Sequence, residues 1–210
     1  MEDPILRAVS YRKDLPVNSR LYSGKRRLFG LSQFEVKLYG REMQRAAAGD
    51  YRTGERPLGR FWLPRVKRSF PDLTQHIRTE YVAFLPEICP AGDDPETYTE
   101  AFKRDLDALW FLSDRIHEAG ISVGKTKLQN AAPEMLAQYQ AAINRKDVEG
   151  LIVLLTDKSQ EAAVIERVRV KAVDSKLQPD IAERLFLKLV FPITLRAEAM
   201  DLIFGAAKRG

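Results

Sequence analysis

Two residue types are almost missing from this 210-residue chain, which has one cysteine, Cys89, and two histidines, His76 and His117. A lone thiol excludes an internal disulfide and a multi-cysteine metal centre, and two histidines far apart in sequence argue against zinc, so no metal is expected. Cys89 itself reads as a small buried residue rather than a reactive thiol. Long apolar runs are also lacking. The longest, Leu151–Leu155, falls far short of the roughly 20 residues that span a bilayer. The opening Met1-Glu-Asp-Pro has none of the basic-then-apolar order of a secretion signal, so the expectation is a cytoplasmic protein without a membrane partner. Alternating Val/Ile/Thr segments between turn residues are missing, which makes a sheet improbable. Gly24 through Gly30 and Gly120 through Gly124 have neither the spacing nor the preceding strand of a phosphate loop, so nucleotide binding has no support.

What is present is a helical pattern. At 45% hydrophobic residues, the chain can bury a core without staples, and one domain over residues 1–210 is the expectation. Prolines and glycines cluster before residue 100, giving an irregular first third. Apolar residues recur at three- and four-residue spacing over Gln33–Ala48, Leu73–Leu85, Ala101–Ala119 with a possible extension to Gln129, Pro133–Asn144, Lys146–Leu155, Ser159–Val173 and Pro179–Phe204, which predicts an all-α bundle. Ile181, Leu185, Leu189 and Ile193 mark one apolar face of the last helix. Pro192, inside that pattern, should kink or divide it. Residues 1–70 carry 16 Lys+Arg against 7 Asp+Glu, leaving 18 against 22 for the rest. This basic stretch contains no nucleic-acid-reading motif and reads as a solvated face.

From Tyr81 onward a string of short motifs becomes specific: Phe84-Leu-Pro-Glu-Ile-Cys89, Arg104-Asp-Leu-Asp-Ala-Leu109, Leu112-Ser-Asp-Arg-Ile-His117, Val123-Gly-Lys-Thr-Lys-Leu-Gln129, Asp147-Val-Glu-Gly150, Leu155-Thr156, Glu166-Arg-Val168 and Phe191-Pro-Ile-Thr194. In this order they resemble the all-helical chorismate mutases of fungi and plants. Met1-Glu-Asp-Pro-Ile-Leu6 resembles the family's first-helix segment, and Arg60-Phe-Trp-Leu-Pro64 its aromatic-proline turn. The resemblance implies conversion of chorismate to prephenate, an intramolecular Claisen rearrangement with no cofactor and no covalent intermediate, and a homodimer. Such a reaction needs a flexible dianion held compactly and donors aimed at the breaking ether oxygen.

Carried over by motif, Arg115 matches the carboxylate-binding arginine, whose planar fork suits a carboxylate. Lys127 matches the ether-oxygen lysine, with Lys125 competing for that role. Glu161 matches the glutamate that bonds the substrate hydroxyl, and Thr194 and Glu198 match the last pair, four residues apart on one helical face. In fungal members that last glutamate acts protonated.

Four departures stand out. The family's arginine one to two turns before Glu2-Asp3 has no counterpart, because no residue precedes Met1 in this sequence; upstream sequence, Arg7 or Arg12 would have to supply it. Asp157 stands where the family has asparagine, and it has two readings, a repulsive neighbour of a substrate carboxylate and a helix N-cap. Arg115 and Lys127 are one residue further apart than in the family. Twelve residues of ideal helix rotate about 120°, against about 20° for eleven, so only a bulge or break near Gly120 brings the two onto one face. Thr99-Glu100 replaces the Gly-Ser pair of the family's regulatory site, so control by aromatic amino acids is not expected. These departures leave an alternative, a mutase-like scaffold serving as a binding or regulatory module or acting on another small anion.

Overall fold

The computed structural model describes residues 2–23 and 73–207, and every element among them is helical. Helices α1 (Glu2–Arg12) and α2 (Ser19–Ser23) are followed by α3 (Thr74–Ile88). A 3-10 turn at Pro95–Thr97 leads into α4 (Tyr98–Asp114), which runs without a break through a π-helical segment, Arg115–Gly120, into α5 (Ile121–Gln129). Then come α6 (Pro133–Arg145), α7 (Val148–Leu155), α8 (Lys158–Asp174) and α9 (Pro179–Leu185). A second π segment, Phe186–Val190, joins α9 to α10 (Phe191–Ala207). The expected helix over 33–48, the aromatic-proline turn at 60–64 and most of the basic stretch lie outside the described residues.

Local chemistry explains the boundaries. Pro133 and Pro179 open their helices in the first turn, where the missing N–H costs nothing. Asp147 caps α7 by accepting from the Gly150 N–H at 2.8 Å. Lys146 does not begin that helix as expected. It terminates α6 in the left-handed conformation, φ 55°. Pro192 divides the last helical run, as its position required: it falls at the second residue of α10, directly after five residues of π-helix. A wider turn there accommodates a ring that has no N–H for the preceding ladder.

Helix α10 is the hub. It packs against α5, α7 and both π segments, while α1 lies along α4 and α8 along α9. The face marked by Ile181, Leu185, Leu189 and Ile193 is buried throughout. A large apolar cluster joins α1, α3, α4, α8, α9 and the start of α10, and a smaller one, with Tyr139, Leu151, Leu155 and Leu202, joins α6, α7 and α10.

One charged knot lies in the larger cluster. Arg12, with no exposed surface, donates from Nε to Asp105 Oδ1 at 2.7 Å and from its two terminal nitrogens to the carbonyls of Leu15, Pro16 and Val17. Tyr22 and Tyr81 donate to the same carboxylate. Burial opposes the Arg12 charge, but Asp105 beside it prevails and raises its pKa. Cys89 is buried here as expected. It receives Arg12 Nη1 at 3.2 Å, and desolvation pushes its thiol up to about 11, out of reach of thiolate chemistry at neutral pH.

Candidate active site

The register of Arg115 and Lys127 is settled by the π segment. One extra residue accommodated in wider turns over Arg115–Gly120 takes up the added spacing, so the two side chains reach one cavity although α4, the bulge and α5 form one continuous rod. The segment is anchored by His117: the Leu73 N–H points at its Nε2 (3.4 Å), and Nδ1 lies 3.0 Å from Ser113 Oγ.

The cavity has a volume of about 400 Å³ and is lined by Arg115, Lys127, Asp157, Glu161, Thr194 and Glu198 among its polar groups. Four elements converge: the π segment, α5, the start of α8 and the first two turns of α10. Val123, Val164, Phe191 and Leu195 supply apolar wall, and Gln160 a further polar group. Sequence comparison by motif missed these five. The signal for Val164 and Leu195 was adjacency, one helical turn from Glu161 and one residue from Thr194.

Lys127 Nζ donates to the Leu155 carbonyl at 2.7 Å and to Glu198 Oε2 at 3.2 Å, which leaves one of its three protons for a ligand. Glu198 is buried, and burial raises its pKa against the opposing pull of Lys127 and Arg115. Desolvation lowers that of Arg115, with Glu2 and Glu198 counteracting it and Arg167 adding to it. Arg115 Nη1 and Thr194 Oγ1 are both buried and have no hydrogen-bond partner among the described residues, an arrangement that costs free energy unless a ligand or water completes it. Glu161 faces the cavity while its Oε2 accepts from Lys158 at 2.8 Å.

Asp157 is the helix N-cap and also stands at the cavity. Its Oδ1 caps α8 by accepting from the N–H groups of Ser159 and Gln160, each at 3.0 Å, and it borders the cavity. Hydrogen bonding, first from Ser159, lowers its pKa, so it adds a negative charge at the rim.

Two expectations are corrected. Arg12 does not reach the cavity: its donors are consumed by Asp105, Tyr22, Cys89 and three carbonyls inside the core, so it cannot serve as a carboxylate-binding arginine there. Arg7 is exposed on α1 and does not line the cavity either. Lys125 points away from the cavity and pairs with Asp201 at 3.3 Å. Two residues apart on a helix face nearly opposite directions, so Lys125 and Lys127 cannot share a pocket.

Among the described residues no group of three or more His, Cys, Asp or Glu side chains could hold a metal ion, and no helix is long and apolar enough to cross a membrane.

No family model matches the chain. It is 29% identical to the chorismate mutase of Saccharomyces cerevisiae over 53% of its own length, and it spans only 46% of that enzyme. Identity to the chorismate mutase of Schizosaccharomyces pombe is 25%, covering 96% of this chain and 90% of the relative. To a cytosolic chorismate mutase 2 of Zea mays it is 28%, covering 67% and 61%. Among solved structures, the chloroplast chorismate mutase of Zea mays superposes with a TM-score of 0.76 at 25% identity, over 96% of this chain and 90% of that one. The Candida albicans chorismate mutase in complex with L-Trp gives 0.75 at 23% identity, over 97% and 86%, a likeness of fold. These likenesses support reading the chain as a divergent relative of the eukaryotic chorismate mutases, whose all-α fold it shares.

Proposed function

We propose that this cavity binds chorismate and rearranges it to prephenate without a cofactor. The observation that carries the reading is the convergence of Arg115, Lys127, Glu161, Thr194 and Glu198 from separate elements on one space of about 400 Å³, large enough for one small dianion. Arg115 Nη1, buried and unpartnered, is the natural site for a substrate carboxylate. The remaining Lys127 proton and a protonated Glu198 are donors for the ether oxygen as its bond to carbon breaks and negative charge gathers there. Glu161 accepts from the ring hydroxyl, and the Thr194 hydroxyl donates to a second oxygen. Binding the chair-like conformer supplies the rest of the acceleration by pre-ordering the carbon–carbon contact.

The enzyme is proposed to act as a cytoplasmic homodimer and to ignore aromatic amino acids. Glu100, at the former Gly-Ser position, is engaged with Arg104 and Lys103. Following chorismate loss and prephenate formation with purified protein, beside Arg115→Ala and Glu198→Ala, tests the activity. Turnover abolished by both substitutions supports it. No turnover at millimolar chorismate refutes it and leaves a binding scaffold or a different small anion. Light scattering checks the dimer.

A further inference from the structure

The polar groups of the cavity do not explain why they stand where they do. Thr194 and Glu198 lie one turn apart on α10, and facing them, also one turn apart, are Gly120 at the end of the π segment and Gly124 on α5. A Cβ added at Gly120 would lie 3.0 Å from Thr194 Cγ2 and 3.5 Å from its carbonyl oxygen. At Gly124 it would lie 3.0 Å from Glu198 Cβ, 3.3 Å from Cγ and 3.4 Å from Cα. The two glycines therefore meet the two pocket residues of α10 with no side chain between. The cavity supplies the independent mark of a ligand, since Thr194 Oγ1 is buried there without a partner.

We propose that Gly120 and Gly124 are positioning residues of this site, letting α5 lie directly against α10 and so fixing how deeply the Thr194 hydroxyl and the Glu198 carboxyl stand in the cavity. Lys127 sits three residues after Gly124 on the same helix, so the Gly124–Glu198 approach also sets the 3.2 Å between Lys127 and Glu198. At Gly124 the nearest atom is Glu198 Cβ at 3.0 Å, which no rotamer change can remove, so an added Cβ is met by a shift of a few tenths of an ångström between α5 and α10. At Gly120 the nearest atom is a methyl that can turn, and turning it re-aims the Thr194 hydroxyl.

The kinetic arm of the test rests on the mutase reading, and a titration arm does not. In the kinetic arm, Gly124→Ala is expected to lower kcat about tenfold or more, with the larger effect on kcat than on KM, because catalytic groups displaced by fractions of an ångström lose much of their rate advantage. Gly120→Ala is the milder variant and should act mainly on KM. Gly205→Ala on the same α10, where an added Cβ meets nothing within 4 Å, should match the parent.

In the titration arm, carboxyl NMR follows Glu198 with no substrate present. Charged and titratable groups around it are Lys127 on α5, Arg115 on the π segment, Tyr139 on α6, and Asp157 and Glu161 on the cavity rim. Separating Lys127 from Glu198 removes a force that lowers its pKa, so Gly124→Ala should titrate higher than the parent and Gly205→Ala should not. If the parent proves inactive, the titration alone decides. Gly124→Ala and Gly120→Ala proteins that melt cooperatively with parental kinetics and an unmoved Glu198 titration overturn the proposal. Should Gly124→Ala fail to fold, an unaltered KM and Glu198 titration in Gly120→Ala would do so.

Discussion

Lys127 and Glu198, 71 residues apart in sequence, stand 3.2 Å from each other in a space that buries the carboxylate and half-covers the ammonium. Burial pushes the glutamate toward its protonated form and the lysine pulls it back, with burial prevailing. A group poised in this way holds its proton more readily than a glutamate in water and gives it up as pH rises.

Because the folded protein raises the Glu198 pKa, its contribution to stability is present below the ordinary glutamate range and is lost as pH rises through the folded value. Glu198→Gln should match the parent melting temperature near about pH 4 and exceed it increasingly toward neutrality. If protonated Glu198 is the donor, the rate of the parent should fall over the same interval, while Gln, a donor at every pH, should give a flat profile. Melting curves and steady-state rates across pH 4–8 check both.

Arg115 is the arginine of the cavity with an unfilled buried donor. Arg115→Ala should reduce kcat/KM by about 100-fold or more, the usual cost of losing one aimed donor. Arg115→Lys should recover little, since a point ammonium cannot replace a planar fork. Isothermal titration with chorismate separates lost binding from lost rate.

Asp157 borders the cavity while capping α8, and a carboxylate there would oppose a bound dianion. Asparagine is an equally good cap without the charge, so Asp157→Asn should keep the melting temperature and raise kcat/KM severalfold, most clearly at low ionic strength. Asp157→Ala should lose the cap and melt earlier. Comparing the two by calorimetry and steady-state kinetics separates charge from capping.

The Arg12–Asp105 knot is structural. Asp105→Ala would strand a buried guanidinium, and the expected loss is about 3–5 kcal/mol in chemical denaturation. KM of the molecules that remain folded should not change, because neither residue borders the cavity.

Within the π segment one residue is surplus to an α-helical register. Deleting Ala119 should convert the bulge to α-helix, keep Arg115 and Lys127 facing together, and leave the melting temperature within about 5 °C of the parent. Deleting Ala163 from the unbulged α8 should rotate Val164, Ile165 and Val168 out of place and unfold the protein. Thermal melts of the two deletions decide between these outcomes.

Much of the scaffold was legible because helix periodicity is a local property. The seven apolar patterns located six described helical runs, within a few residues at their ends, and Pro192 announced the disruption before α10. The seventh lies outside the described residues. Lys146 was misassigned because a left-handed terminator occupied by lysine carries no residue signal of the kind glycine gives. Arg12 was misassigned because a basic residue on an amphipathic segment looks the same whether it meets solvent or a buried aspartate 93 positions away.

The amino-acid sequence by itself determined the helices, the single buried thiol, and the need for a bulge between Arg115 and Lys127, since each follows from residue spacing along one chain segment. Only the tertiary structure decided which lysine enters the cavity, that Arg12 serves the core, that Asp157 both caps and faces the pocket, and that two glycines admit α10. Those outcomes depend on how separate helices lie against one another, and helix–helix separation and facing are set by packing among distant residues that no local pattern encodes.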